Sequence, residues 1–289
     1  MLRAFALNTA GTGAAGLEST AVAELEVGRP VAEPRPAATV ILLRDSADGP
    51  EVFLLRRTAS MAFAPRMHVF PGGGVDPRDA DSDLPWAGPP PAQWALALGC
   101  SEPYAAALVC AAVRELFEEC GVLLAGEDAV AAEAAQRESD RQQVLDRSVA
   151  LSELLRRRGL LLRSDLLRPW AHWTTPELEP RRYDTRFFVA ALPSGEQARD
   201  VGGEADRAAW IGAAAAVRGH AEGRLAMLPP TLICLEEVAG HGDVASVLAA
   251  PRRLRRVMPW VDGDQLVVDV DGVGGGEPGP GQPAGRTEP

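Results

Sequence analysis

Three glutamates stand in a stretch from Glu102 to Leu124 that otherwise has the apolar periodicity of a packed helix. They are Glu115, Glu118 and Glu119, and their spacing of i, i+3 and i+4 places all three carboxylates on one helical face. Gly121 follows at once, and glycine is the residue that most often ends a helix. The sequence therefore predicts a long helix that carries crowded negative charge on a single face.

Crowded carboxylates repel one another, and isolated pairs at this spacing cost a few tenths of a kcal/mol. The cost grows in a partly dry cleft, so a divalent cation among the carboxylates would explain the pattern. Ligand sets made only of oxygen favour Mg²⁺ or Mn²⁺ over zinc. Such a cation could hold the oxygens of a diphosphate and activate water, which predicts hydrolysis of a phosphoanhydride. The alternative is a solvated acidic face in which Arg114 and Glu118 form an ordinary i, i+4 ion pair.

The predicted strands are short apolar runs bounded by turn residues. Ala37–Leu43 and Glu51–Arg56 are separated by a polar, glycine-containing turn, which is typical of two paired strands. Further strands are predicted at Leu167–Thr174, Thr185–Leu192 and Gln265–Val270. Strands and helices are interleaved without a strict βαβ alternation, so we expect the α/β (α+β) class, with a mixed sheet between helical layers.

Helices are predicted in three further places: Glu127–Arg158, the region after Trp210–Ala215, and a segment that opens at Thr231 behind two prolines. The segment from Asp76 to Pro91 is dense in Asp and Pro, and we expect it to be an irregular surface insertion. The helical region 127–158 is expected to pack on the body or to cover the site.

The expected domain organisation is a single folded domain with unstructured ends. Its parts are a flexible segment over 1–34, the domain over 35–271, an insertion at about 77–101, the helical region at about 127–158, and a disordered tail over 272–289.

The charge balance narrows the choice of partners. With 29 Lys+Arg against 40 Asp+Glu, the net charge is −11, which argues against a general nucleic-acid or anionic-membrane surface. No apolar run reaches the roughly 18 residues needed to span a bilayer. The cysteines form no C-x-x-C pair and lie in apolar runs, so we interpret them as reduced thiols of a cytoplasmic protein; they are Cys100, Cys110, Cys120 and Cys234.

The run from Arg114 to Val122 resembles the second half of the Nudix box, G-x5-E-x7-R-E-U-x-E-E-x-G-U, where U is aliphatic. The first half is represented by the segment Phe70–Gly73. The resemblance implies a Nudix-like α/β/α sandwich with an additional helical insertion, and a catalytic role for Arg114 and the three glutamates. It also implies that the carbonyl of Gly73 is a metal ligand.

The box departs from the family pattern in its spacing. Arg114 lies 41 positions after Gly73, where the family pattern has 14, which leaves 27 extra residues. The middle glutamate of the box falls on Asp79 when counted forward and on Ala106 when counted back. An interrupted box is similar to that of the coenzyme A diphosphatase branch.

An upstream run, Leu54–Thr58, resembles the element associated with coenzyme A substrates in that branch, which makes Arg57 a candidate substrate-binding residue. The match is partial, because Ala62 and Arg66 stand where the element has Arg and Gly.

Other residues are candidates with a structural alternative. Glu204 lies in a polar loop from which related enzymes take a further metal ligand or the base, although it could be a turn carboxylate that faces water. Arg181 and Arg182 could clamp phosphate or form surface salt bridges. Trp173, like Trp170, could stack an adenine or pack in the core.

Two weaker candidates complete the set. The basic run Arg252–Arg256 could meet a 3′-phosphate or form a solvated patch. His68 could touch substrate near the glycine turn or form a structural hydrogen bond.

The leading hypothesis is metal-dependent hydrolysis of a small nucleotide-derived diphosphate, with coenzyme A or acyl-coenzyme A as first candidate. ADP-ribose, NADH or FAD would present the same anhydride to the same site. An alternative of another class is a non-catalytic Nudix-fold regulator that binds nucleotide. A third hypothesis treats the helical region 127–158 as an element that binds a partner or forms a homodimer.

Overall fold

The architecture was obtained as a computed structural model, which describes residues 1–6, 30–61, 64–126, 134–199 and 205–270. The strands in chain order are β1 (Leu2–Ala6), β2 (Arg35–Ser46), β3 (Gly49–Arg57), β4 (His68–Val69), β5 (Gly72–Gly74), β6 (Trp86–Ala87), β7 (Leu162–Arg163), β8 (Arg168–Thr174), β9 (Tyr183–Ala191), β10 (Ala205–Gly212), β11 (Arg256–Val257), β12 (Trp260–Asp262) and β13 (Gln265–Asp269). The α-helices are α1 (Pro91–Leu98), α2 (Glu102–Cys120), α3 (Ala134–Leu145), α4 (Leu151–Arg158), α5 (Ala213–Ala221), α6 (Pro229–Ala239) and α7 (Val244–Ala249).

The central sheet is mixed, as predicted. Its strand order is β10-β3-β2-β9-β8-β11, and the short strands β4 and β5 pair with β3 and β2. The pairs β2–β9 and β8–β11 are parallel, whereas β2–β3, β3–β10 and β8–β9 are antiparallel.

Alternating side chains of β2 divide the core into two layers. Val40 and Leu42 are fully buried in one apolar cluster with residues of α1, α2 and α4. Ile41 and Leu43 are fully buried in the other cluster, with residues of α5, α6 and α7. Successive side chains of a strand point to opposite faces of the sheet, so both faces are covered by helices. The α/β/α sandwich is therefore confirmed.

Helix α2 runs through the first layer and ends where the sequence predicted. Its residues from Leu108 to Phe117 are all buried, which explains their almost continuous apolar character. Gly121 adopts φ 72° and its N–H donates to the carbonyl of Phe117 at 3.0 Å. A left-handed residue at this point costs glycine little and stops the helix.

The segment Asp76–Pro91 was wrongly predicted to be wholly irregular. Pro77–Ala80 form a turn of 3-10 helix, and Pro91 opens helix α1. Proline is tolerated at the first helical position because its missing N–H would have no partner there. Trp94 and Leu98 of α1 are buried in the cluster that contains α2, so this part of the insertion belongs to the core.

The region 127–158 is helical in two pieces, α3 and α4, while residues 127–133 lie outside the described ranges. Gly159 caps α4 at φ 65°, so the helix ends at Arg158, where the predicted helical region also ends. Strand β10, which contains Trp210, was not predicted. We also expected residues 1–34 to be flexible, yet Leu2–Ala6 pair with β13. The two strands are more than 250 residues apart in the sequence, so a local sequence pattern cannot predict their pairing.

Over the described ranges, no single helix is long and apolar enough to cross a membrane. Only α1 and α2 taken together reach that length and composition, and they are bent by 92° where they meet.

Candidate active site

The glycine turn lies directly against the acidic face of α2. Strand β5 pairs with β2, so that Gly73 faces Ala38. The N–H of Gly72 donates to Glu119 Oε2 at 2.9 Å. A Cβ atom added to Gly73 would lie 2.6 Å from Glu115 Oε1, which no real contact permits. The close approach of backbone and carboxylates therefore requires glycine at this position.

Arg114 connects the acids of the helix to the turn. Its Nη1 donates to Glu115 Oε1 at 2.7 Å and to Glu118 Oε2 at 3.2 Å. Its Nη2 donates to the carbonyl of Gly74 at 2.8 Å. The side chain is 9% exposed, so these charge-assisted hydrogen bonds hold the guanidinium and both carboxylates in fixed positions.

Asp79 completes the arrangement around Arg114. Arg114 Nε donates to Asp79 Oδ1 and Nη2 donates to Asp79 Oδ2, both at 2.9 Å. Asp79 is buried, and its carboxylate also accepts the N–H of Asp76 at 2.8 Å. The spacing of the box allowed two positions for its middle acid. Asp79, counted forward from Gly73, lies at the site, whereas Ala106, counted back from Arg114, has no carboxyl group.

Burial dominates the electrostatics of the carboxylates. It raises the pKa of Glu115 to about 7, with Arg114 opposing and Glu118 adding to the rise. Burial also raises the pKa of Glu118, again against Arg114. The two carboxyl groups are therefore held in a poorly solvated place, where a cation would stabilise their ionised forms.

The donor set fits a hard divalent cation, because it consists of carboxylate oxygens and the backbone carbonyls of a glycine turn. Within the described part of the chain, no three Asp, Glu, His or Cys side chains converge as a ready-made cage. Arg114 Nη1 instead bridges Glu115 and Glu118. The chemistry of these residues thus fits Mg²⁺ or Mn²⁺. In this structure the carboxylates of Glu115 and Glu118 accept hydrogen bonds from Arg114.

A cavity of about 850 Å³ opens above the acids and the glycine turn. Among the predicted residues, it is lined by Arg57, Trp173, Gly73, Arg114, Glu115, Glu118 and Glu119. Arg35 and Arg147 also line it, and sequence analysis missed both, since neither belongs to a recognisable motif. The size is that of a typical small-molecule pocket, and it combines cations, acids and an aromatic wall.

The predicted phosphate clamp is not at this cavity. Arg182 is buried and donates from Nε to the carbonyl of Thr175 at 3.1 Å and from Nη1 to that of Ala32 at 2.8 Å. It therefore ties β9 to the segment before β2. Arg181 is exposed and does not line the cavity.

Three other candidates have structural partners. The Arg252 guanidinium lies 3.3 Å from the ring centroid of Trp170, so these two residues pack on each other and neither lines the cavity. His68 Nδ1 lies 3.3 Å from the carbonyl of Ala226, and burial lowers the pKa of the ring. Glu204 lies outside the described residues.

The chain is similar to known proteins in both sequence and fold. The family profile described as the NUDT19 Nudix domain matches residues 95–238. Acyl-coenzyme A diphosphatase NUDT19 of Gallus gallus is 29% identical over 182 residues, which are 49% of this chain and 48% of the chicken protein. Putative nudix hydrolase 7 of Caenorhabditis elegans is 29% identical over 219 residues, which are 75% of this chain and 64% of the worm protein.

Among solved structures, a NUDIX hydrolase from Alicyclobacillus acidocaldarius superposes with a TM-score of 0.63 at 29% identity. The match covers 76% of this chain and 97% of the bacterial one. The chain thus spans about half the length of the chicken relative and nearly the whole of the bacterial structure.

Proposed function

Since the chain belongs to the Nudix hydrolase family and resembles its coenzyme A diphosphatase branch, we propose that it hydrolyses the diphosphate bond of a nucleoside diphosphate derivative. The cofactor is Mg²⁺ or Mn²⁺. The single observation that carries the proposal is the contact between the glycine turn and the acidic face of α2, at the floor of a cavity large enough for a nucleotide.

Each group at the floor of the cavity has a role in this reaction. The carboxylates of Glu115, Glu118 and Glu119, with the carbonyl of Gly73, would hold the cation. When bound, the cation supplies charge neutralisation at the diphosphate and acidifies water for attack on phosphorus. Arg114 fixes the carboxylates of Glu115 and Glu118 through its paired hydrogen bonds.

The first candidate substrate is coenzyme A or an acyl-coenzyme A. The interrupted box supports this choice, and so does the likeness to a chicken protein named acyl-coenzyme A diphosphatase. Arg57 and Trp173 line the cavity and offer a phosphate contact and an aromatic surface for a base. Both are assigned to substrate binding in this proposal, and Arg181 and Arg182 are not.

Glu204 is proposed as the further acid of the reaction, either as a metal ligand or as the base. The next residue in the chain, Ala205, pairs with Arg57 across strands β10 and β3. The described chain therefore resumes beside Arg57, which lines the cavity.

The test is hydrolysis of a panel of coenzyme A, acetyl-coenzyme A, ADP-ribose, NADH and FAD, with Mn²⁺, with Mg²⁺, and with chelator. Products formed in isotopically labelled water are identified by mass spectrometry, which shows the bond broken and the phosphorus attacked. Metal-dependent release of 3′,5′-ADP from coenzyme A is expected. Full activity on ADP-ribose with none on coenzyme A would show that coenzyme A is not the substrate. Turnover that is unaffected by chelator would refute the metal-dependent mechanism.

A further inference from the structure

Arg147 has a backbone conformation that normally selects glycine. It follows the end of helix α3 with φ 63°, and its N–H donates to the carbonyl of Val144 at 3.0 Å. Glycine takes the left-handed position directly after α1, α2 and α4, at Gly99, Gly121 and Gly159, whereas Arg147 lies two residues after the end of α3. A non-glycine residue in this region is energetically unfavourable, and such strain concentrates at functional sites.

The loop that carries Arg147 is fastened to the rim of the cavity. Arg78 Nη1 donates to the carbonyl of Arg147 at 2.8 Å. Arg78 is held in turn by Asp76, through Nε–Oδ1 at 3.0 Å and Nη2–Oδ2 at 3.1 Å. Asp76 and Arg78 lie between Gly73 and Asp79, in the first half of the Nudix box. Their contacts with Arg147 therefore hold the loop after α3 beside the cavity that contains the acids.

The Arg147 side chain is a cation at the acidic end of the cavity. It lines the cavity, yet it remains 76% exposed. Its ion pair with Asp76 is long, 4.0 Å from Nε to Oδ2, so the guanidinium is not consumed by a protein carboxylate. Glu115 and Glu118 line the same cavity. An anion bound over the α2 carboxylates would lie within reach of this cation.

We propose that Arg147 binds phosphate oxygens of the diphosphate that is cleaved, and that this contact is why arginine occupies a glycine-like position. The inference rests on the proposed function. A guanidinium presents paired N–H donors that match two phosphate oxygens, and it stays charged throughout the pH range of the enzyme. Arg147 thus takes the phosphate-binding role that the sequence had suggested for Arg181 and Arg182.

The test compares two identical substitutions, Arg147→Gly and Arg66→Gly, in the full chain. Arg66 is also an exposed arginine with a left-handed backbone, at φ 61°, but it does not line the cavity. Both changes remove one positive charge and relieve the same type of strain, so both variants should keep the wild-type melting temperature or exceed it. ADP is titrated calorimetrically in the presence of Mg²⁺, which measures diphosphate binding without turnover.

Arg147→Gly should weaken ADP binding about tenfold, the loss expected for a charge-assisted hydrogen bond at a partly exposed site. Arg66→Gly should leave it within a factor of about two. Arg147→Lys should fall between the wild type and Arg147→Gly. Unchanged ADP affinity in Arg147→Gly, an equal loss in Arg66→Gly, or no ADP binding by the wild type would each overturn the inference.

Failure of the inference and failure of the proposed function give different results. If the wild type hydrolyses a diphosphate substrate and Arg147→Gly retains its KM and ADP affinity, only the role of Arg147 is wrong. If no substrate of the panel is hydrolysed while ADP binds and Arg147→Gly weakens it, the anion contact stands and the hydrolase assignment fails.

Discussion

Arg114 and Asp79 lie 35 positions apart and form a buried two-point ion pair, with Nε–Oδ1 and Nη2–Oδ2 both at 2.9 Å. The extra residues of the interrupted box therefore do not separate its two halves in space. The extra residues follow Asp79 in the chain. They include helix α1, which packs against α2, and they end in the first turns of α2. Asp79, the acid counted forward from Gly73, is therefore still in contact with Arg114.

Asp79→Ala should destabilise the protein by about 3 kcal/mol, because it leaves the buried Arg114 guanidinium without its two-point partner. Activity should also fall, since Arg114 would no longer hold Glu115 and Glu118 in place. Chemical denaturation and steady-state kinetics measure the two effects. Asp48→Ala, in the exposed turn between β2 and β3, is the control and should change neither. Equal stability of both variants would contradict the structural role of Asp79.

Glu115→Gln should lower kcat by about 100-fold or more, because it removes a charged ligand from the floor of the cavity. The fold should be retained, since glutamine has almost the same shape. The matched control is Glu102→Gln, which makes the same change at the exposed start of the same helix. Kinetics across a range of Mn²⁺ concentrations test the assignment. A Glu115→Gln enzyme with wild-type kcat and metal dependence would show that this carboxylate is not a ligand.

Gly73→Ala should abolish most of the activity, because the added methyl group would lie 2.6 Å from Glu115 Oε1 and displace the carboxylate. Gly242→Ala is the control, since a Cβ there would meet no atom within 4 Å and the backbone is not left-handed. Initial rates of both variants give the comparison. Similar rates for the two would mean that the approach of Gly73 to Glu115 is unimportant in solution.

Glu237 should make the protein less stable as the pH rises. Burial raises the pKa of this carboxyl to about 7 from an ordinary 4.5, although Arg252 lies 3.2 Å away and opposes the rise. Between these two values the folded state binds the proton more tightly than the unfolded state. The stability that this group contributes is thus present below pH 4.5 and lost as the pH approaches 7.

The loss attributable to Glu237 is at most about 3 kcal/mol. In Glu237→Gln this part of the pH dependence should disappear, which denaturation with urea at pH 5 and pH 8 would measure. Glu222→Gln, a surface carboxylate paired with Arg224, should keep the wild-type difference between the two pH values. A Glu237→Gln variant with the full wild-type difference would show that the burial of Glu237 is not its source.

The ordered strands and helices were largely predictable because they depend on neighbours within a few positions. The short apolar run Ala37–Leu43 predicted a strand where β2 lies, and the proline pair before Thr231 predicted the start of the helix that is α6. Prediction failed where a partner was distant in sequence. Strand β1 forms only because β13 lies beside it, and Arg182 is structural only because Thr175 and Ala32 offer it carbonyls.

The sequence by itself determined the acidic helix. Glu115, Glu118 and Glu119 share a face because 3.6 residues make a turn, and Gly121 ends the helix because it accepts a left-handed backbone. Only the tertiary structure decided which groups meet that face. Asp79, Gly73 and Arg147 reach it from separate segments, and the free energy of their contacts depends on distances between segments that no local periodicity encodes.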